Sequence, residues 1–374
     1  MRIGILTLPL HTNYGGILQA YALQTILERI GHQVKIIDVY QKISKPELGV
    51  FQKTKKVVGR IVKNAFLGGH CYLDYESYMF SIRPQVTQYT NKFINTYLHQ
   101  FHVNNFSDIK ESDFEAYVVG SDQIWRPKYY SNIEDAYLEF TREWDVKRIA
   151  YAASFGTDKW EYTEQQTNAC KSLVHKFNAV SVREDTGINL CKDYLDVDAV
   201  KMADPTLLLD KEDYIGLIKK CNPQPLEGDL FNYILDMTPE KQMLIDKIAN
   251  EKGLTPFRVN AKDGNDRRIS LEERIQQPVE TWLQAFRDAK FIVTDSFHAC
   301  VFSIIFNKPF VVVGNEKRGL SRFYSLLKDF GLEDRLITFP LNESIHVQKV
   351  GNLKDIISKK RKASIKFLED NLNS

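Results

Sequence analysis

In this 374-residue chain the residues best suited to chemistry are Thr294-Asp295-Ser296-Phe297-His298. An imidazole can donate or accept a proton near neutral pH, so His298 could act as a general acid or base. Asp295 or Ser296 would cap a helix that starts here. The free amides and positive dipole end of that helix suit a phosphate or carboxylate. The plainer alternative is a helix cap followed by a satisfied polar residue.

The flanking pattern says what must hold this turn. Residues 291–293 are a β-branched and aromatic run, 297–306 an apolar stretch of helical length, and 309–313 apolar again, ending on Gly314. That reads as strand, helix, strand, with the two strands parallel because a helix crosses between them. The turn then lies at a strand's carboxyl end, where open α/β sheets bind ligands. The second strand leads to 314–319 and a helix over 321–330, which would gather Lys317, Arg318 and Arg322 beside His298 as a cationic pocket.

The first half repeats the pattern. Residues 2–8 and 33–39 read as strands around a helix over 15–30, which Gly31 stops. The loop into that helix ends in Asn13-Tyr14-Gly15-Gly16, whose glycines would let a ligand approach the backbone. It lacks the GxGxxG spacing, so a dinucleotide fold is not read. A strand at 114–119 runs into Gly120-Ser121-Asp122-Gln123-Ile124-Trp125. Asp122 and Gln123 could fork onto vicinal hydroxyls while Trp125 covers a sugar's apolar face; a turn with a core Trp fits the same residues. Strands at 148–153 and 179–182 follow. Arg183, at the end of the latter, could clamp a carboxylate or phosphate, or pair with Glu184 or Asp185. A strand at 200–203 then turns at Asp204-Pro205-Thr206.

The stretch 41–113 is basic and then aromatic, and reads as helices and loops forming a lid or acceptor-side insertion, or else a solvated decoration. Residues 210–228, polar with Pro223 and Pro225, read as an interdomain link. Beyond it, strands at 231–235 and 256–259 and helices at 239–250 and 279–288 lead to the opening turn. The expectation is an α/β protein of two Rossmann-like domains facing across a cleft. They span 1–210 and 225–345, and 346–374 forms a helical tail whose basic stretch 359–366 reads as solvated.

A formal charge of +2, with 43% hydrophobic and 26% charged residues, suits a soluble globular protein and offers no global case for nucleic acid. The amino terminus reads as a strand rather than a signal peptide, and no apolar run is long enough to span a bilayer. The five scattered cysteines lack CxxC spacing, so free thiols in a reducing cytoplasm are expected, and neither a zinc site nor any other metal.

Taken together, several of these motifs resemble the polysaccharide pyruvyl transferase family. They are Asn13-Tyr14-Gly15-Gly16 with Leu18-Gln19-Ala20-Tyr21-Ala22-Leu23, the GSDQ-W segment 120–125, Ser181-Val182-Arg183, Asp204-Pro205-Thr206, and the strand-turn-helix with His298. The resemblance covers 2–335, and the order and spacing of the motifs make it specific. It implies a glycosyltransferase-B-like architecture and transfer of the enolpyruvyl carbons of phosphoenolpyruvate onto a sugar, as a pyruvate ketal. His298 falls on the family's catalytic histidine, and Arg183 on a donor-binding arginine. Many members have Arg-Leu-His where this chain has Ser296-Phe297-His298, so Lys317, Arg318 or Arg322 would have to replace the missing arginine. On this reading Arg183, Ser296, Phe297, Lys317, Arg318 and Arg322 face the donor, while Asn13, Tyr14, Gly15, Gly16, Asp122, Gln123 and Trp125 face the acceptor. Phosphoenolpyruvate is a substrate, and no cofactor is implied. A sugar or lipid-linked glycan is the acceptor, with peripheral contact to a membrane surface and self-association left open. The competing expectations are a nucleotide-sugar glycosyltransferase and a non-catalytic anion- or glycan-binding relative.

Overall fold

The computed structural model describes residues 1–39, 50–66, 68–130, 132–262, 264–314, 319–339 and 353–373. Lys317 and Arg318 lie outside the described residues.

Two parallel sheets organise the chain. The first contains β1 (Arg2–Leu6), β2 (Gln33–Val39), β3 (Gln100–Val103), β4 (Ala116–Val119), β5 (Lys147–Ala153), β6 (Ala179–Val182) and β7 (Val200–Lys201), in the order β3-β2-β1-β4-β5-β6-β7. The second contains β8 (Leu230–Tyr233), β9 (Pro256–Phe257), β10 (Phe291–Thr294), β11 (Phe310–Val313) and β12 (Leu336–Ile337), in the order β12-β11-β10-β8-β9. Every pairing is parallel, as the crossover helices require. The central strands β4, β8, β10 and β11 are buried along their whole length, which explains their continuous apolar runs. Strand order reverses between β1 and β4 in one sheet and between β8 and β10 in the other. Crevices open at the carboxyl ends of such strand pairs.

The helices of the first lobe are α1 (Tyr14–Arg29), α2 (Val50–Phe66), α3 (Tyr75–Val86), α4 (Gln88–Tyr97), α5 (Glu164–Val174) and α6 (Asp185–Leu190). Those that follow are α7 (Lys211–Cys221), α8 (Pro239–Lys252), α9 (Leu271–Arg274), α10 (Val279–Asp288), α11 (Phe297–Ile305), α12 (Ser321–Phe330) and α13 (Lys354–Asn373).

Two expectations need correction. The stretch read as an interdomain link, which runs from β7 of one sheet to β8 of the other, holds α7, whose Tyr214, Leu217 and Ile218 are buried and which packs on α10. The insertion rejoins the sheet, since β3 pairs with β2. The final helix is docked and not merely solvated: Leu368 and Leu372 are buried, Lys147 Nζ donates to the Leu372 carbonyl at 2.8 Å, and Ala203 N donates to Ser364 Oγ at 3.1 Å. The chain thus returns to the first lobe after building the second.

Candidate active site

The two switch points face each other, and His298 lies between them. Residues 295–298 follow β10, and α11 begins at Phe297 because Ser296 Oγ accepts from Ala299 N at 3.4 Å. Asp295 is occupied elsewhere: its carboxylate accepts from Leu235 N (2.7 Å), Asp236 N (3.2 Å) and Lys241 Nζ (2.6 Å), which fixes the neighbouring loop after β8.

Across the interface, α1 follows β1. A Cβ placed on Gly15 would lie 2.1 Å from His298 Nδ1 and 2.2 Å from its Cγ, so only glycine lets the start of α1 rest on the imidazole. Its N-cap, Asn13, makes no side-chain cap bond; the Asn13 amide donates instead to Asp122 Oδ2 at 3.4 Å. The first turn also has no acidic residue. The positive end of α1 beside His298 thus has neither a side-chain cap nor an acidic residue of its own first turn. Gln19 ties this loop together: its amide nitrogen donates to Thr7 Oγ1 and the Gly16 carbonyl, and its oxygen accepts from Ser121 N.

Charged groups from β4, β6 and the turn after β7 converge on the same point. His298 Nε2 lies 3.5 Å from Asp204 Oδ2, which also takes Arg183 Nη1 at 2.6 Å. Asp204 Oδ1 accepts from Thr206 N and Thr206 Oγ1 at 3.0 and 2.6 Å, so the Asp-Pro-Thr turn fixes its rotamer. Arg183 Nη2 reaches Asp122 Oδ1 at 3.5 Å. Arg183 therefore pairs with Asp204 and Asp122, not with Glu184 or Asp185. Glu184 instead accepts from Ser154 Oγ and the amides of Phe155 and Gly156.

Phe297 separates two guanidinium groups, with Arg183 Cζ at 4.2 Å and Arg322 Cζ at 5.3 Å from its ring centroid. Burial pushes the Asp204 carboxyl up, but His298, Arg183 and Thr206 outweigh it and hold Asp204 well below the usual carboxylate range. Asp122 is likewise held low against burial, by His298, Arg183 and Arg322. Burial, with Arg183 nearby, pushes Arg322 down to about 10. A bound anion would relieve that cost.

The expected acceptor residues divide. Asn13, Gly15 and Asp122 meet at the site, and Gly16 follows in the same helical turn. Tyr14 faces the other way: it is buried, stacks on Trp282 and donates to the Gln277 carbonyl at 2.7 Å, so it joins the lobes. Gln123 accepts from Arg126 Nη1 at 3.2 Å. Trp125 is fully buried and stacked on Tyr137, with its indole N–H given to the Ala136 carbonyl, so it has no face for a sugar. The sequence pointed to the Asp204 turn but not to its role. An Asp at a strand end, followed by Pro and Thr, was the available signal. Among the described residues no group of three or more His, Cys, Asp or Glu side chains is placed to hold a metal ion.

A family model described as polysaccharide pyruvyl transferase matches residues 13–317. No curated protein sequence matches the chain. Similar solved structures include UDP-GlcNAc 2-epimerase from Neisseria meningitidis, at 8% identity, 99% and 100% coverage of the two chains and a TM-score of 0.48. The corresponding epimerase of Methanocaldococcus jannaschii gives 10%, 98% and 99%, and 0.49. UGT89C1 of Arabidopsis thaliana gives 9%, 99% and 94%, and 0.46.

Proposed function

The chain belongs to the polysaccharide pyruvyl transferase family, and from that premise we propose that it transfers pyruvate from phosphoenolpyruvate to a sugar hydroxyl pair, forming a ketal, with His298 as the proton-transfer group. The observation that carries the reading is the position of His298. It lies between the Asp204 carboxylate and the start of α1, a helix end without a side-chain cap.

In the proposed reaction His298 delivers a proton to the methylene carbon of the donor, and one acceptor hydroxyl adds to the neighbouring carbon. That hydroxyl's proton returns to the imidazole. A second hydroxyl then attacks the same carbon as phosphate leaves by C–O cleavage, and the departing phosphate takes up that hydroxyl's proton; the two new C–O bonds replace the C–O bond to phosphate and the π bond, and the methylene has become a methyl group. Asp204 orients the ring and stabilises its cationic form, and Arg183 and Thr206 fix Asp204 in turn. Arg183, Arg322 and the α1 amides together are proposed to meet the donor's charge. Arg322 takes the place of the arginine that Ser296-Phe297 lacks, with Phe297 holding the two guanidinium groups apart. Lys317 and Arg318, outside the described residues, follow β11 and are proposed as further donor contacts. Since His298, Asp122, Arg183 and Asp204 are all buried, the lobes have to part for substrates to enter.

The acceptor is proposed to be a polysaccharide or its lipid-linked precursor, met on the cytoplasmic side. Among the described residues no helix is long and apolar enough to cross a membrane. The test is incubation with phosphoenolpyruvate and candidate glycans, following phosphate release together with a new ketal methyl resonance. Both signals should vanish in His298→Ala. Phosphate release undiminished in that variant would remove His298 from the reaction. A nucleotide-sugar requirement with no use of phosphoenolpyruvate would replace the reading with a glycosyltransferase.

A further inference from the structure

α2 has its faces reversed. Along its described side chains, Val58, Ile61, Val62 and Ala65 recur at helical spacing with Phe66 beside them, an arrangement that normally faces a core. Here it faces outward: Val58 is 51%, Ile61 47%, Val62 45% and Phe66 80% exposed. The opposite stripe, Lys56, Arg60 and Asn64, is the one that meets the protein. Arg60 Nη1 and Nη2 grip Glu76 at 2.8 and 2.9 Å, and Nη1 also donates to the Leu73 carbonyl at 2.9 Å. Lys56 Nζ reaches Glu76 at 3.1 Å. Asn64 pairs with the backbone of Cys71 in both directions, at 2.9 and 2.7 Å. The exposed apolar stripe is thus held outward by six polar contacts and does not result from a loosely attached helix.

The charge around that stripe selects its partner. Residues 54–66 contain Lys55, Lys56, Arg60 and Lys63 and no acidic residue. Lys55 and Lys63 are exposed and lie along one edge of the apolar stripe. A second protein surface would have to match both a bulky apolar stripe and its cationic edge. An anionic bilayer does so without a specific fit: apolar side chains enter the acyl boundary while lysines meet headgroup phosphates.

We propose that α2 docks this protein on an anionic lipid surface through Val58, Ile61, Val62 and Phe66, with Lys55 and Lys63 on headgroups. α3, which carries Glu76 and so anchors α2, also lines a groove of about 580 Å³ through Tyr75, Met79, Phe80 and Arg83, shared with His11 and Thr12 of the loop that leads to Gly15. The docking itself does not depend on the proposed reaction, because vesicle binding is measured without turnover.

The experiment is flotation of the full chain with vesicles of phosphatidylglycerol and phosphatidylcholine, or of phosphatidylcholine alone, at low and high salt. The wild type should float with the anionic vesicles, much less with the zwitterionic ones, and less at high salt. Ile61→Ser/Val62→Ser/Phe66→Ser should lower the bound fraction by about tenfold or more with an unchanged melting temperature, since those side chains are exposed. Lys55→Glu/Lys63→Glu should lower binding to anionic vesicles only. Wild type left unbound by anionic vesicles, or a triple variant that floats like wild type, would overturn the proposal. So would a wild-type dimer that the triple substitution makes monomeric with no vesicle binding in either form, because the stripe would then be a contact between two copies.

Discussion

Gly15→Ala separates a glycine kept for helix geometry from one kept for the site. In an ordinary helix the change is favourable by about 1 kcal/mol, because alanine loses less backbone entropy. Here the added methyl would occupy the space of His298 Nδ1, Cγ and Cβ. The ring has little room to retreat, since it is buried with Asp204 on its other side. Overpacking of this kind costs about 1–3 kcal/mol, so the two effects oppose and the steric one wins or nearly balances. The lobes relieve the clash by separating, and a displacement of about 1 Å at a proton-transfer group is enough for a hundredfold loss of rate. The variant should therefore melt no higher than wild type and release phosphate from phosphoenolpyruvate about a hundredfold more slowly. Combining it with His298→Ala removes the contacts to the ring but keeps the one to Cβ at 2.6 Å, so stability should recover in part in the double variant and the cycle should show coupling. A more stable Gly15→Ala protein with unchanged activity would refute the packing of α1 on His298.

Three further outcomes follow from the same geometry. Asp204→Asn turns an amide N–H toward Arg183 and His298 and leaves the buried guanidinium short of a counter-charge, at a cost of about 3–5 kcal/mol in urea unfolding. Because Asp204 has a lowered folded-state pKa, its contribution is present above about pH 4, its unfolded value, and is lost as pH falls through the lower folded value. The substituted protein should show a flatter acid limb than wild type. Phe297→Leu keeps the apolar volume but removes the ring between Arg183 and Arg322. The KM for phosphoenolpyruvate should rise about two- to thirtyfold with little change in melting temperature, the range expected for one or two cation–π contacts. Leu368→Ala and Leu372→Ala should each destabilise the protein by about 2–5 kcal/mol, which thermal or urea unfolding would measure; neutral values would mean that α13 is not docked.

Much of this architecture was legible because parallel sheets write themselves as apolar runs. The strand at 179–182 and the helices over 279–288 and 321–330 keep the same bounds in the structure, and the turn at 294–298 lies where the strand-helix-strand pattern put it. What failed, failed for identifiable reasons. The apolar stripe of α7 is broken by Lys211-Glu212-Asp213 and Lys219-Lys220 and followed by two prolines, so the helix inside the connection between the sheets was not visible. Trp125 offered an amphipathic ring, and nothing local distinguishes one stacked on Tyr137 from one that awaits a sugar. The partnership of Asp204 with His298 spans distant turns in different lobes, a relation that only the assembled sheets create. The polar face of α2 was visible as a basic stretch, but not that it would turn inward.

The most direct test of the central claim is calorimetric titration of phosphoenolpyruvate into the wild type and into Arg322→Ala and His298→Ala, with and without a glycan acceptor fraction. Saturable binding to the wild type is expected. Arg322→Ala should weaken it at least about tenfold, as expected for a lost charge-assisted contact. His298→Ala should still bind but release no phosphate. Absence of binding by the wild type even with acceptor present, alongside saturable binding of a nucleotide sugar, would contradict the account.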